Sequence, residues 1–211
     1  MPRYVDHDDR RSQIVEATLE VLSKKGPSGL NFRAVAERMG GSSTMVTHYF
    51  STKQELLDAL VENLARWPEQ VEELEVGVED PRQRLALFLQ WLLPCDERGL
   101  LEESARINLI GERDTRVRTE HLFAAWDQNV RNLLTRHVEE IVPAKRVPAV
   151  VDVLRSTTNG ITLSAVEHPD EWPASRQFAV LNEVLAAFYL LPNSHPMRAS
   201  EEVALSQAPP S

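Results

Sequence analysis

The chain has 211 residues, 42% of them apolar and 26% charged, with a net charge of −9 and a single cysteine, Cys95. That length is enough for one large domain or two small ones with a real core, and one cysteine excludes an internal disulfide framework. No run of 18 apolar residues occurs, and the opening "MPRYVDHDDRRSQ" lacks the apolar stretch of a signal peptide, so the expectation is a cytoplasmic protein with no membrane partner.

Alternating strand patterns are scarce and helical spacing recurs throughout, which predicts an all-α fold of about nine helices. The first helix is expected from about Asp9 to Lys25, with Ile14, Ala17, Val21 and Leu22 on one face and Gly26-Pro27 as its stop. Asn31 is a good cap for a second helix that places Phe32, Val35, Ala36 and Met39 inward and closes at Gly40-Gly41. A very short third helix follows, capped by Ser42 or Ser43 and anchored by Val46, Tyr49 and Phe50. "STKQELLDAL" then holds two overlapping capping boxes, Ser51 with Gln54 and Thr52 with Glu55, opening a fourth helix that ends near Trp67. The expected division is a first domain over 1–53, with 54–67 as connecting helix.

"EQVEELEVGVED" reads as a connecting segment or a fraying helix end. Asp80-Pro81 opens a fifth helix through Leu93, and a sixth spans roughly Asp96 to Ile110. A long seventh helix is expected from Gly111 to Val142, with Leu122, Trp126, Val130, Leu133 and His137 on its inward stripe. The eighth runs from about Arg146 to Glu167 and the ninth from Pro173 to Leu190, so the second domain covers 68–191. The proline-rich stretch over 192–211 reads as a disordered tail.

The last two helices carry apolar residues on two sides. A helix of that kind must be covered on two sides, by a partner subunit about a two-fold axis or by other helices of a larger monomer. The homodimer is the preferred expectation, with Leu154, Ile161, Ala165, Leu181, Val184, Leu185 and Phe188 at the interface. Gly160, in mid-helix, would let another helix approach closely.

The stretch "GGSSTMVTHYF" poses the functional question. Two helices joined by a tight glycine turn, the second one short, describe a helix-turn-helix. Its outward hydroxyls and imidazole (Ser43, Thr44, Thr47, His48) suit base edges and phosphates. They would equally cap and solvate a surface turn, and pattern alone leaves both readings open. Charge leans one way: from Arg10 to Lys53 seven basic residues face three acidic ones, a local balance of +4 in an acidic chain.

The segment "IVEATLEVLSKKGPSGLNFRAVAERMGGSSTMVTHYFSTKQELLDAL", Ile14 to Leu60, resembles the DNA-binding domain of the TetR family of transcriptional regulators. It carries "A-x-x-L/V-x-x-x-x-G" in the first helix, then "V-A-E-R-x-G", then "H-Y-F-x-x-K-x-x-L". The resemblance implies an all-helical homodimer with a three-helix DNA-reading head and a divergent C-terminal domain for a small ligand. It implies an operator of double-stranded DNA, near-palindromic, and a lipophilic small-molecule effector that releases a repressor. Carried onto this chain, the recognition helix is Ser42 to Tyr49. Asn31 stands where the family usually has Thr or Ser, with Arg33 beside it. Tyr49 and Lys53 match phosphate-contacting positions, and His48 matches a common family histidine. Thr47 replaces a frequent tyrosine and Thr44 a frequent glycine or alanine, so the operator sequence does not transfer from a relative. Arg10 and Arg11 offer an arm contact that Asp6, Asp8 and Asp9 oppose. Val153 to Phe188 is similar, more loosely, to the C-terminal region of BetI-like members.

A ligand pocket would lie among the fifth to eighth helices, with Phe88, Trp91, Cys95, Ile107, Phe123, Trp126, Asn159 and Thr162 as candidates. Any one of these serves equally as ordinary core. Tryptophans near Glu102, Glu103 or Glu120 would suit a lipophilic cation. The six histidines are scattered with no i, i+4 pair, and no nucleophile elbow, phosphate loop or His-Glu-x-x-His occurs. The expectation is no metal, no cofactor and no enzyme activity. The alternative is a helical ligand-binding protein or enzyme that keeps the fold without reading DNA.

Overall fold

The computed structural model describes residues 7–64, 68–111 and 113–192, with side chains for all of these but 8, 68–70, 72 and 113–122. The described residues form ten α-helices and no strand: α1 (His7–Gly29), α2 (Phe32–Arg38), α3 (Ser43–Tyr49), α4 (Lys53–Leu64), α5 (Pro68–Glu75), α6 (Pro81–Trp91), α7 (Glu97–Gly111), α8 (Arg113–Glu139), α9 (Val147–Glu167) and α10 (Ala174–Ala187). The all-α expectation holds. Trp67, the expected tail over 193–211 and the side chains of Glu120 and Leu122 lie outside the described residues.

The additional helix is α5, in the stretch read from sequence as a connector. Its described apolar anchor is Val71, which is buried. Two aliphatic residues in eight, buried Val71 and half-buried Leu74, are too few to set a periodicity, while Pro68 at the first position starts a helix without losing a hydrogen bond.

Two compact units result, one of residues 1–70 with 101–128 and the other of 71–100 with 129–211. Each unit thus draws on two stretches of chain. In the first, α1 packs on α2 and α4, and α2 on α3. Their core contains Ile14, Leu22, Val35, Val46, Phe50, Leu56 and Leu60, with Ala105 and Leu109 of α7 completing it. Asn108 fastens α7 here by donating to the carbonyls of Leu22 and Ser23, both at 3.2 Å.

Helix ends follow the sequence signals. Gly26 adopts φ 65°, a left-handed value that breaks α1 before a last turn opened by Pro27. Asn31 Oδ1 accepts from the Ala34 N–H at 2.9 Å and starts α2. Gly40, at φ 66°, ends it, and the Gly41 N–H closes on the Ala36 carbonyl at 2.9 Å. At α4 the two expected capping boxes merge. Thr52 Oγ1 accepts from Glu55 N–H at 3.1 Å, but the Glu55 carboxylate accepts from the Ser51 N–H at 2.7 Å, and Gln54 turns to Asp58 instead. Asp80 caps α6 through the Arg82 N–H at 3.0 Å.

In the second unit α9 packs on α10. Val150, Leu154, Ile161 and Ala165 of α9 and Phe178, Leu181 and Leu185 of α10 are buried within the chain itself. Gln177, also buried, donates to the carbonyls of Pro94 and Trp172 at 3.0 Å each and lies 3.9 Å from Cys95 Sγ. Burial, with a smaller push from the Asp96 charge, raises the Cys95 thiol to about 12, so it is a packed neutral group.

Candidate nucleic-acid interface

The third helix presents its polar side. Only Val46 of its seven residues is fully buried, and Phe50 just beyond it is the second anchor. Met45 and Tyr49 rest half-buried against the core. Ser42, Ser43, Thr44, Thr47 and His48 are all exposed. Ser42 is the N-cap residue by backbone geometry, with its hydroxyl making no capping bond. Ser42 and Ser43 are both exposed beside this N-terminus, which no Ser42 side-chain bond caps. Thr47 Oγ1 donates back to the Thr44 carbonyl at 3.1 Å, leaving its methyl and an acceptor lone pair on the surface. A threonine methyl is suited to a thymine methyl, and its oxygen to either a donor or an acceptor on a base edge.

Around α3 the cations are arranged by specific partners. Arg38 donates twice to Glu20, at 2.6 Å each, tying α2 to α1. That hydrogen bond first, and the Glu20 charge second, hold the guanidinium above its usual range. Arg33 donates to Glu37 at 2.9 Å from an exposed position on α2. Lys53, the first residue of α4, donates to the Pro27 carbonyl at 2.5 Å. An ammonium has three donors, so this bond orients Lys53 beside the α4 N-terminus while keeping two N–H groups for an anion. Asn31 is exposed, with its oxygen committed to the α2 cap and its amide donating to the Gly29 carbonyl at 3.3 Å.

All nine expected DNA-contacting residues thus sit in the first unit, on α2, α3 and the ends beside them. Sequence reasoning missed His7. Its ring centroid lies 5.3 Å from that of Tyr49 and 6.1 Å from that of His48, which itself meets Tyr49 edge to face at 5.2 Å. Nothing in the spacing of the chain signals this, because the contact crosses from the start of α1 to the end of α3. Arg11 lies one turn further along α1, its guanidinium 4.4 Å from the centre of the Phe50 ring.

The eight ligand-pocket candidates do not gather in either unit. Ile107, Phe123 and Trp126 fall in the first and the other five in the second. Phe123 packs against the core of the first unit. Trp126 carries the Arg106 guanidinium on its ring at 5.3 Å, and Arg106 is paired with Glu103 at 2.6 Å. This tryptophan and this carboxylate, offered for a lipophilic cation, are thus engaged by the guanidinium of Arg106. In the second unit Phe88 is buried and stacked with Trp91, Thr162 is buried, and Asn159 is exposed on α9.

The dimer candidates divide by exposure. Leu154, Ile161, Ala165, Leu181 and Leu185 are interior, whereas Val184 and Phe188 are half-buried. On α9 Val153 is half-buried and Leu163 exposed, beside exposed Asp152, Ser156, Asn159 and Gly160, and on α10 Val180 and Val184 are half-buried and Ala187 exposed. Both stripes have helical spacing; which one packs at home is decided by three-dimensional neighbours. A Cβ at Gly160 would meet nothing within 4 Å, so no described residue fills that notch.

A polar-faced short helix, held by two apolar anchors on a three-helix core and preceded by a glycine turn, defines a helix-turn-helix protein. Residues 14–60 match the family model described as bacterial regulatory proteins, tetR family. The chain is 34% identical over 104 residues to the HTH-type transcriptional regulator PksA of Bacillus subtilis (strain 168), a match spanning 48% of this chain and 50% of PksA. It is 33% identical over 87 residues to the HTH-type transcriptional regulator BetI of Burkholderia ambifaria (strain MC40-6), over 40% of this chain and 45% of BetI. The chain thus spans about half the length of the curated relatives it matches. In fold it is similar to a transcriptional regulator from Saccharomonospora viridis solved in complex with choline, with a TM-score of 0.69 at 16% identity, over 85% of this chain and 97% of that one. Among the described residues no helix is long and apolar enough to cross a membrane.

Proposed function

We propose that the protein is a dimeric transcriptional regulator: a repressor that holds a near-palindromic DNA operator and leaves it when a small apolar effector binds. The observation that carries this reading is the outward row Ser43, Thr44, Thr47 and His48 on a helix anchored by Val46 and Phe50. Lys53, Tyr49 and Asn31 would position the head on phosphates, and the α3 face would read bases. The apolar side chains left partly exposed on α9 and α10 (Val153, Leu163, Val180 and Val184), with the open notch at Gly160, support a two-fold partner helix against helix. Two heads would then meet half-sites about one or more helical turns apart. The choline complex of the Saccharomonospora viridis regulator supports a small-molecule effector here. To release DNA, the effector must bind the DNA-fitting and non-fitting arrangements unequally.

The test is fluorescence anisotropy of the intact protein on duplex DNA taken from upstream of its own gene, across a salt series. Affinity should fall steeply with salt as phosphate contacts release counterions. Lys53→Ala should weaken all sequences alike and reduce the salt slope by about one. Thr47→Ala or His48→Ala should instead change preference by about 1–3 kcal/mol per affected base pair. Retention of no DNA at low salt would defeat the reading.

A further inference from the structure

The family-matched segment begins at Ile14, yet α1 starts two turns earlier, at His7. Residues 7 and 11 are one helical turn apart and share a face. Both land on the end of α3: His7 against Tyr49 and His48, and Arg11 on the ring of Phe50. Val46 and Phe50 are already buried in the core, so the fixing of the α3 backbone does not depend on this contact. What His7 reaches are two side chains that the core holds only partly or not at all, since Tyr49 is half-buried and His48 exposed.

An exposed histidine on a helix samples several staggered rotamers. Three rings in mutual contact select one of them. The His48 ring stands at 87° to that of Tyr49, an edge-to-face arrangement that complements a positive edge with a negative face. His7 closes the triangle with both rings tilted at 45–49° to its own. A side chain held in its binding rotamer loses less freedom on meeting DNA.

The geometry points to His7 as a positioning residue for sequence reading: it sets the orientation of His48 and Tyr49, and so sharpens base preference at the part of each half-site that His48 meets. This rests on the DNA-binding reading of α3. It adds the first turn of α1, outside the matched family segment, to the reading head.

The experiment selects from a pool of randomised duplex DNA with the full chain, comparing the wild type with His7→Ala, His7→Phe and His48→Ala. His7→Ala should bind the best wild-type site about three- to tenfold more weakly. It should flatten preference at the same base pairs that His48→Ala flattens, with the salt slope on unrelated DNA unchanged. His7→Phe, which keeps a ring, should restore the preference. An unchanged base preference in His7→Ala overturns the proposal, and so does a uniform loss with a shallower salt slope, which would make His7 a phosphate contact. A free-protein measurement separates this from the parent reading. His7→Ala should move the ring-proton resonances of His48 and Tyr49 while the methyl groups of Val46 and Leu56 stay in place. Unmoved rings overturn the positioning role even if the protein binds DNA. If the wild type enriches no sequence, the DNA-binding reading falls and this proposal with it.

Discussion

The third and tenth helices make opposite use of their surfaces. α3 has seven residues, buries one side chain fully, and turns hydroxyls and an imidazole outward. α10 has fourteen residues and buries Gln177, Phe178, Leu181 and Leu185, yet its outward side carries Val180, Val184 and Ala187. A short helix alone is marginal in water, so α3 persists because Val46 and Phe50 tie it down and its outer face is released for hydrogen bonding. α10 is long enough to be stable on one packed stripe, and its second apolar stripe calls for a partner that is itself apolar. One surface suits a polar polymer such as DNA, and the other a second copy of the chain.

The sharpest way to break the contrast is to remove an anchor of α3. Phe50→Ala deletes a fully buried ring and should cost about 3–5 kcal/mol of stability. Measured by denaturant unfolding with a helix signal, the loss should appear as an early transition of the reading head, because the second unit has its own core. A shift below 1 kcal/mol would mean that Val46 alone suffices to hold the motif. The corresponding test on the other side is Leu163→Asp, on the outward face of α9. Leu163 is 43% exposed, so the isolated chain should barely notice the change. Association of two copies should lose about 1–2 kcal/mol of apolar burial from each protomer, about 2–4 kcal/mol together, which raises the dissociation constant thirtyfold or more. Sedimentation velocity at several concentrations reads this directly. An unaltered dimer would move the interface elsewhere.

How much of this was legible in the sequence follows the same contrast. The reading head could be read almost residue by residue because its signals are local. Asn31 caps α2, Gly40 ends it at a positive φ, and Thr52 caps α4, each through atoms a few positions apart. The apolar residues at Val46 and Phe50 marked the buried side of α3 by spacing alone. The second unit's helices were legible too, apart from α5, whose two described aliphatic side chains, Val71 and Leu74, make too short a pattern. What stayed hidden is every fact that depends on which elements meet. Two stripes on α9 and α10 both fit the helical period, and the packed one proved to hold Leu154, Ile161, Ala165, Leu181 and Leu185, the positions expected to face a partner. Arg106 on Trp126 and His7 on Tyr49 join different helices, and no spacing rule foretells them.

His137 shows what such a hidden meeting does to chemistry. The inward stripe of α8 predicts that it is buried, and it is 1% exposed. Its neighbour comes from the unforeseen α5: Nε2 lies 2.9 Å from Glu75 Oε1, but off the line of a good hydrogen bond, and Phe88 covers the ring at 5.6 Å. Two effects oppose each other. Desolvation by burial, the larger, disfavours the imidazolium and lowers its pKa; the Glu75 charge favours it, while Arg136 and Arg84 add to the lowering. With the folded pKa below the ordinary value of about 6.5, the unfolded chain binds the proton more readily than the folded one. The stability contributed by neutral His137 is therefore fully present above about pH 6.5 and declines as the pH falls below it, by at most about 1.4 kcal/mol per pH unit for one proton. The measurement is a pair of thermal melts against pH, wild type beside His137→Gln, whose neutral side chain cannot titrate. The difference between them should be flat from pH 8 to about pH 6.5 and should then turn against the wild type. A difference that instead favours the wild type in acid would show that Glu75 outweighs burial, and that the pair behaves as a salt bridge.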